Sequence, residues 1–369
     1  MGQTFDRRIW IKQSMLALGS VSLVPKLMTA NVHHYRPPAI IKLNANENPY
    51  GPSPMARKAM SDAIAMSNRY PFDVTTQLRE KIAAKHNLTK DNIVIGAGSS
   101  EILGLVAQMA ALKEGNAVTA DPSFSIWATS AQKFGLEIIK VPLTADKKHD
   151  LQRMKEKINN NTRMVYICNP NNPTGTVLPT GEIKDFIQGI SAVTIVLLDE
   201  AYIEYSDEPS LTAMIADHPN LIIAKTFSKI YGLAGARIGY GIAQPEIIKE
   251  LNALQPWANA GGSFVSVSAA LASLDDTSFI KESKAKNNTV RELMYTSYKE
   301  LGIPHIPTHT NFMYYSVKDL NGEISNIFAS NNILGGRINE ENGKWSRITI
   351  GTMDEMKTFL SVIKQNLKA

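Results

Sequence analysis

The sequence predicts an α/β fold: a large domain built on a mostly parallel sheet covered by helices, followed by a smaller α+β domain. Two observations predict it. From Ser53 onward, stretches with helical spacing of apolar residues alternate with short apolar runs, the rhythm of strands joined through covering helices. Near Ala260 that rhythm gives way to one long helical stretch followed by short strand-like runs. A chain of 369 residues is also too long for one small core, so two domains around a shared cleft are expected.

In chain order, residues 1–30 read as a targeting segment. Asp6-Arg7-Arg8-Ile9-Trp10-Ile11-Lys12 precedes a mildly apolar run, Ser14 to Val24, that is too short and too rich in serine and glycine to span a bilayer. The paired arginines, with an aromatic two residues on, resemble the twin-arginine export signal, an address for folded proteins, and imply a periplasmic location. A cytosolic leader helix is the alternative, and export of a reporter fused to residues 1–40 separates the two. Residues 31–50 form an arm marked by Pro37-Pro38.

The large domain is assigned to 51–260. Its seven strand candidates are Ile93 to Ile95, Ala117 to Ala120, Glu137 to Val141, Met164 to Cys168, Val193 to Leu198, Leu221 to Thr226 and Ile238 to Ile242. Helical candidates lie between them at Thr75 to His86, Glu101 to Leu112, Ser125 to Phe134 and Gly181 to Gly189. The small domain, 261–369, holds a long helix from Ser278 to Leu301, strand candidates at Asn311 to Val317, Ile333 to Ile338 and Arg347 to Ile350, and a closing helix from Met353 to Leu367.

The formal charge of +5 is concentrated at the start, where Arg7, Arg8, Lys12 and Lys26 face only Asp6. The rest, 35 basic against 33 acidic residues, offers no basic stripe for nucleic acid. A single cysteine, Cys168, excludes an intramolecular disulfide and a cysteine-type metal cluster, and the histidines are scattered, so no metal is expected.

In an open α/β sheet, ligands sit beyond the carboxyl ends of the strands. Four polar clusters follow strand candidates: Gly96 to Ser100, Asn169 to Gly175, Asp199 to Tyr202, and Thr226 to Lys229. Desolvation at such a rim would lower the Lys229 pKa and free a neutral amine for attack on an aldehyde. Thr226 and Ser228 offer hydroxyls beside it, and Arg237 offers a planar fork for a phosphate dianion. Asp199, ending an apolar run, needs a cation or donors, and a protonated pyridine nitrogen would serve. Gly96-Ala97-Gly98-Ser99-Ser100 leads into a helix whose free amides suit phosphate, and it lacks the third glycine of a dinucleotide fingerprint. Taken singly, each feature has a plain reading: Lys229 as a solvated lysine, Asp199 as a turn cap, Tyr202 as core, Asn169 to Gly175 as a surface turn.

Taken together, Asn169 to Gly175, Asp199-Glu200-Ala201-Tyr202, Thr226-Phe227-Ser228-Lys229 and Leu233 to Tyr240 resemble the class I/II aminotransferases of fold type I. Leu43 to Gly51, Asn68-Arg69-Tyr70-Pro71 and Arg347 to Thr352 narrow the resemblance to the histidinol-phosphate aminotransferase branch. The resemblance implies pyridoxal 5'-phosphate (PLP) as cofactor. It makes Lys229 the Schiff-base lysine and proton carrier, Asp199 the partner of the ring nitrogen, and Asn172 and Tyr202 the holders of the phenolic oxygen. Phe124 would stack on the ring, and Gly98, Ser99, Ser100, Thr226, Ser228 and Arg237 would bind the phosphate side. It further implies a homodimer in which Tyr70 reaches the phosphate of the other subunit. On the substrate side it implies Arg347 for a carboxylate, with Arg337, Tyr35 and Asn46 around it.

Two stretches depart from that branch. Tyr35 lacks the proline that precedes the arm tyrosine there, and Gln255 to Gly262 is a longer, glycine-containing stretch where the branch runs directly into a helix. The expected reaction moves an amino group from a donor such as glutamate to a 2-oxo acid or imidazole acetol phosphate. An aromatic or other amino-acid aminotransferase, a PLP-dependent decarboxylase of a phosphorylated amino acid, and a non-catalytic PLP-fold binding protein are the alternatives.

Overall fold

The computed structural model describes residues 40–336 and 340–368. The targeting segment, Tyr35 and Arg337 lie outside the described residues. The described chain begins with β1 (Ile41–Lys42) and continues into the strands of the large sheet: β2 (Ile93–Gly96), β3 (Asn116–Asp121), β4 (Glu137–Pro142), β5 (Thr162–Cys168), β6 (Ile195–Asp199), β7 (Leu221–Thr226) and β8 (Gly239–Ile242). All seven strand candidates of the large domain are therefore strands of one sheet, in the order β2-β8-β7-β6-β5-β3-β4. Only β8 runs antiparallel to its neighbours.

The strands of the sheet's middle are buried on both faces, which is why they read as continuous apolar runs rather than alternating ones. In β5, Val165 and Ile167 enter one core. Met164, Tyr166 and Cys168 enter the core on the other face. Helices cover both sides, among them Phe72–Lys85, Ser99–Ala110, Ile126–Lys133 and Thr180–Gln188. The helix Phe264–Ser273, beyond the expected boundary at residue 260, packs against Pro54–Ala63 and Phe72–Lys85 and adds Val267, Ala269 and Ala270 to the large-sheet core.

Three short strands, β9 (His305–Ile306), β10 (Phe312–Ser316) and, after the two-residue β11 (Ile333–Leu334), β12 (Trp345–Thr349), build the second layer. The antiparallel sheet β12-β10-β9 is backed by the helices Thr277–Glu300 and Met353–Gln365 around Met294, Tyr298, Met313, Tyr315 and Phe359. Leu43 belongs to this core although it comes from the N-terminal arm, and β1 pairs in parallel with β11. The arm thus ties residues 41–51 to the small sheet before the chain enters the large one. Among the described residues no helix is long and apolar enough to cross a membrane.

Candidate active site

The parallel strands place their carboxyl ends along one rim, and the polar clusters lie there. The turn after β7 explains how Lys229 comes to stand at it. Ser228 N donates to Thr226 Oγ1 at 3.0 Å, Gly232 N to the Lys229 carbonyl at 3.0 Å, and Phe227 N to the Ile238 carbonyl at 3.1 Å. These bonds close the loop back onto β8, so that Lys229 and Arg237 share one connection.

Two lysines four residues apart meet opposite fates. Lys225 lies inside the sheet with Glu200 and Glu204 each at 3.1 Å, and these carboxylates hold it charged against the cost of burial. Lys229 forms no ion pair among the described residues. Its Nζ donates to the Ala45 carbonyl at 3.1 Å and lies 5.5 Å from the centre of the Tyr202 ring. Burial, and next the Arg347 cation, pull its pKa down to about 8. An amine that titrates there is the reactive form sequence reasoning expected of it.

Asp199 ends β6, level with Cys168 of β5, and is 2% exposed. Tyr166 Oη donates to Oδ2 at 2.9 Å and Ala201 N to Oδ1 at 3.0 Å. Those two bonds do not offset burial, which pushes the carboxyl up to about 6. Among the described residues Asp199 has no ion-pair partner, so the site contains a carboxylate prepared for a cation it does not itself supply.

The phosphate candidates converge as well. Arg237 Nη2 donates to Ser100 Oγ and to the Ala97 carbonyl, both at 3.1 Å. Gly98, at φ +84°, precedes the helix Ser99–Ala110; a Cβ there would stand 2.6 Å from Arg237 Nη2. Only glycine both takes this backbone conformation and leaves room for the guanidinium. The amides of Ser99 and Ser100 open the helix and have no partner within it, an arrangement suited to an anion.

The candidate substrate residues come from the arm and the small sheet. Arg347, on β12 and buried, donates from Nη1 to Asn172 Oδ1 at 2.7 Å and from Nη2 to the Asn44 carbonyl at 2.9 Å, with its guanidinium carbon 5.4 Å from the centre of the Phe312 ring. Asn46 donates from Nδ2 to Tyr202 Oη at 2.8 Å, which links the arm to the Asp199 loop. Phe124 is half-buried against the core and accepts from Trp127 Nε1 through its carbonyl. Tyr70 is 71% exposed, with ring contacts to Phe72 and Trp257. No bond joins it to Ser99 or Arg237 of its own chain among the described residues.

Sequence reasoning missed Tyr166, whose hydroxyl is half of the Asp199 setting. The signal was a tyrosine on the otherwise apolar face of β5, next to the strand that ends in Asp199. It also missed Asn171. That side chain accepts from Ser123 Oγ at 2.8 Å and donates to the Pro122 carbonyl at 3.2 Å, joining the Phe124 turn to the Asn172 turn.

Comparison with known proteins decides the family. The profile of aminotransferase class I and II matches residues 38–363. The chain belongs to the class I and II aminotransferases. Relatives of this aminotransferase include the histidinol-phosphate aminotransferase of Brevibacillus brevis, 38% identical over 88% of this chain and 90% of that protein. That of Moorella thermoacetica is 36% identical over 89% of this chain and 86% of the relative. A histidinol-phosphate aminotransferase from Sinorhizobium meliloti, solved with PLP, superposes with a TM-score of 0.78 at 27% identity, covering 89% of this chain and 91% of that one. The fold is fold type I, the enzyme is a PLP-dependent aminotransferase, and its residues fit the cofactor: a buried carboxylate lacking a cation, an amine titrating near 8, and a glycine-floored cradle beside Arg237.

Proposed function

We propose that this aminotransferase exchanges an amino group between glutamate and imidazole acetol phosphate, the pair expected of a histidinol-phosphate aminotransferase. The observation that carries the donor half of the reading is the buried Arg347, held by Asn172 and Asn44 close enough to Lys229 to depress its pKa. A guanidinium fixed in this way favours a planar carboxylate as a bidentate partner. The names of the relatives above support the phosphorylated acceptor.

The geometry supports the following roles. Bound PLP supplies an electron sink for the bond at the substrate's α carbon. Asp199 would keep the ring nitrogen protonated, Tyr202 and Asn172 would hold the phenolic oxygen, and Ser99, Ser100, Ser228 and Arg237 would hold the phosphate, with Gly98 leaving space and Thr226 fixing the turn. The Lys229 amine would hold and move the proton at the substrate's α carbon, and Phe124 would pack against the cofactor ring. Arg347 would orient the glutamate carboxylate so that the α hydrogen faces Lys229. Mixing the PLP enzyme with glutamate should convert it to the pyridoxamine phosphate form, and imidazole acetol phosphate should return it in a single turnover. Faster return with aromatic 2-oxo acids would replace the proposed acceptor. Carbon dioxide release without the pyridoxamine form would mark a decarboxylase, and no reaction with any amino acid a binding protein.

The exposed cluster Tyr70, Phe72 and Trp257, with the exposed Ile64 and Met66 shortly before it in the chain, is a large amount of apolar surface for one chain to leave in water. A second copy of the chain is its proposed cover, with Tyr70 reaching the partner's phosphate. Mixed dimers of Tyr70→Ala and Lys229→Ala chains should then be more active than the two variants assayed apart, because one of their sites is intact. Activity equal to the separate assays would refute the shared site.

A further inference from the structure

The stretch Gln255 to Gly262, which departs from the family pattern, lies against the phosphate loop. Gln255 is 6% exposed, and its Nε2 donates to the Ile95 carbonyl at 2.9 Å and to Glu101 Oε1 at 2.8 Å. Glu101 Oε2 in turn accepts from Ala97 N at 2.6 Å. Asn259 returns the contact from the other side: its Oδ1 accepts from Ile95 N at 2.9 Å, and its own N donates to Gln255 Oε1 at 2.8 Å. Gly261 closes the arrangement, since a Cβ there would stand 2.2 Å from Gly96 Cα. Residues 95–97 are therefore gripped on both sides by one turn, which also carries Trp257 and its edge contact with Tyr70.

The grip bears on charge. Glu101 sits in the first turn of the helix whose free amides await a phosphate dianion, so a wandering carboxylate would compete with the ligand for those donors. Bonded at both oxygens, to Ala97 N and to the Gln255 amide, it is fixed in place and the amides of Ser99 and Ser100 are left for the ligand.

We propose that Gln255 is a positioning residue for the cofactor phosphate: by holding Glu101 on Ala97 N it sets the cradle Gly96 to Ser100, and with it the retention of PLP. The proposal rests on the reading of Gly98 to Ser100 and Arg237 as the phosphate site. It is tested by comparing the dissociation constants of PLP and of pyridoxal, which lacks the phosphate, from refilled cofactor-free enzyme. Gln255→Glu, which sets two carboxylates face to face, should weaken PLP roughly tenfold and leave pyridoxal nearly unchanged. The exchange Glu101→Gln with Gln255→Glu restores an amide-to-carboxylate bond and should recover part of the PLP loss, a rescue that a general loosening of the fold would not give. Gln255→Leu, free of new charge, should weaken PLP in the same selective way. Equal loss of PLP and pyridoxal, no loss of either, or no rescue would overturn the proposal. If the unaltered enzyme holds pyridoxal as tightly as PLP, the phosphate site itself is misassigned and the proposal falls with it.

Discussion

Replacing Lys229 by alanine should lower amino transfer by about 10⁴-fold, the upper end of what a positioned proton carrier contributes. After borohydride treatment, mass spectrometry should find the cofactor mass on the native chain and not on the variant. The expectation rests on one amine that meets two demands, a neutral form near working pH and a place on the rim. Its bond to the Ala45 carbonyl and its seat beside Tyr202 provide the place. Burial, with the cations of Arg347 and Arg237, provides the neutral form, against the opposing pull of Glu47 and Asp199. Stability and the neutral form of this amine respond to pH in the same direction. With a folded pKa of about 8 and an ordinary value of 10.5, the folded protein binds fewer protons than the unfolded chain across that window, and stability rises with pH through it. Below about 8 the charged amine is a burden on the cofactor-free fold, so Lys229→Ala should melt no lower than the native protein at neutral pH. Retained turnover would overturn the assignment, whereas a lower melting temperature would show that the loss is one of folding.

The frame around this lysine was legible because each piece carries a local signal. Apolar runs of three to six residues, broken by helical spacing, give the strands of the large sheet, and β7 lies where the run Leu221 to Thr226 predicts it. Strand ends shifted by a residue or two elsewhere, as at β5, where Thr162 extends the ladder by pairing with Asn116 and Arg163 falls at an irregularity of the register, features that side-chain polarity conceals. The helix Phe264–Ser273 was not legible: its alanines and serines have weak periodicity, and only its packing on two earlier helices fixes it. The cofactor side of the site came from short motifs at strand ends, where position and chemistry coincide. The supports of that site did not. Tyr166, Asn171 and Gln255 act through partners 33, 48 and 154 residues away, and no local pattern reports such a pairing. Ile333 to Ile338 was expected as a strand; Ile333–Leu334 is one, paired with the arm at β1, and residues 337 and 338 lie outside the described residues.

Asp199→Ala should cost amino transfer about 10³-fold, because it leaves a ring cation without its buried counter-charge, a loss of about 3–5 kcal/mol. The magnitude follows from the site's own balance. Tyr166 and Ala201 donate to Asp199, yet burial prevails and holds the carboxyl at about 6. That raised value makes a second, independent prediction on the cofactor-free protein. Between the ordinary value of 3.8 and about 6, the folded protein keeps this proton while the unfolded chain has released it, so stability falls as pH rises through the window. Denaturant titrations at a series of pH values should show that fall, and Asp199→Asn, which has no proton to lose, should remove this part of it. Adding PLP should remove it too, since a cation at the ring nitrogen draws the carboxyl back toward its ordinary range. A native protein whose slope between pH 4 and 6 is the same with and without the cofactor would mean that Asp199 does not meet the ring. The two arms together separate a carboxylate that waits for a cation from one that merely caps the turn at Ala201, because only the first changes its titration when the cofactor arrives.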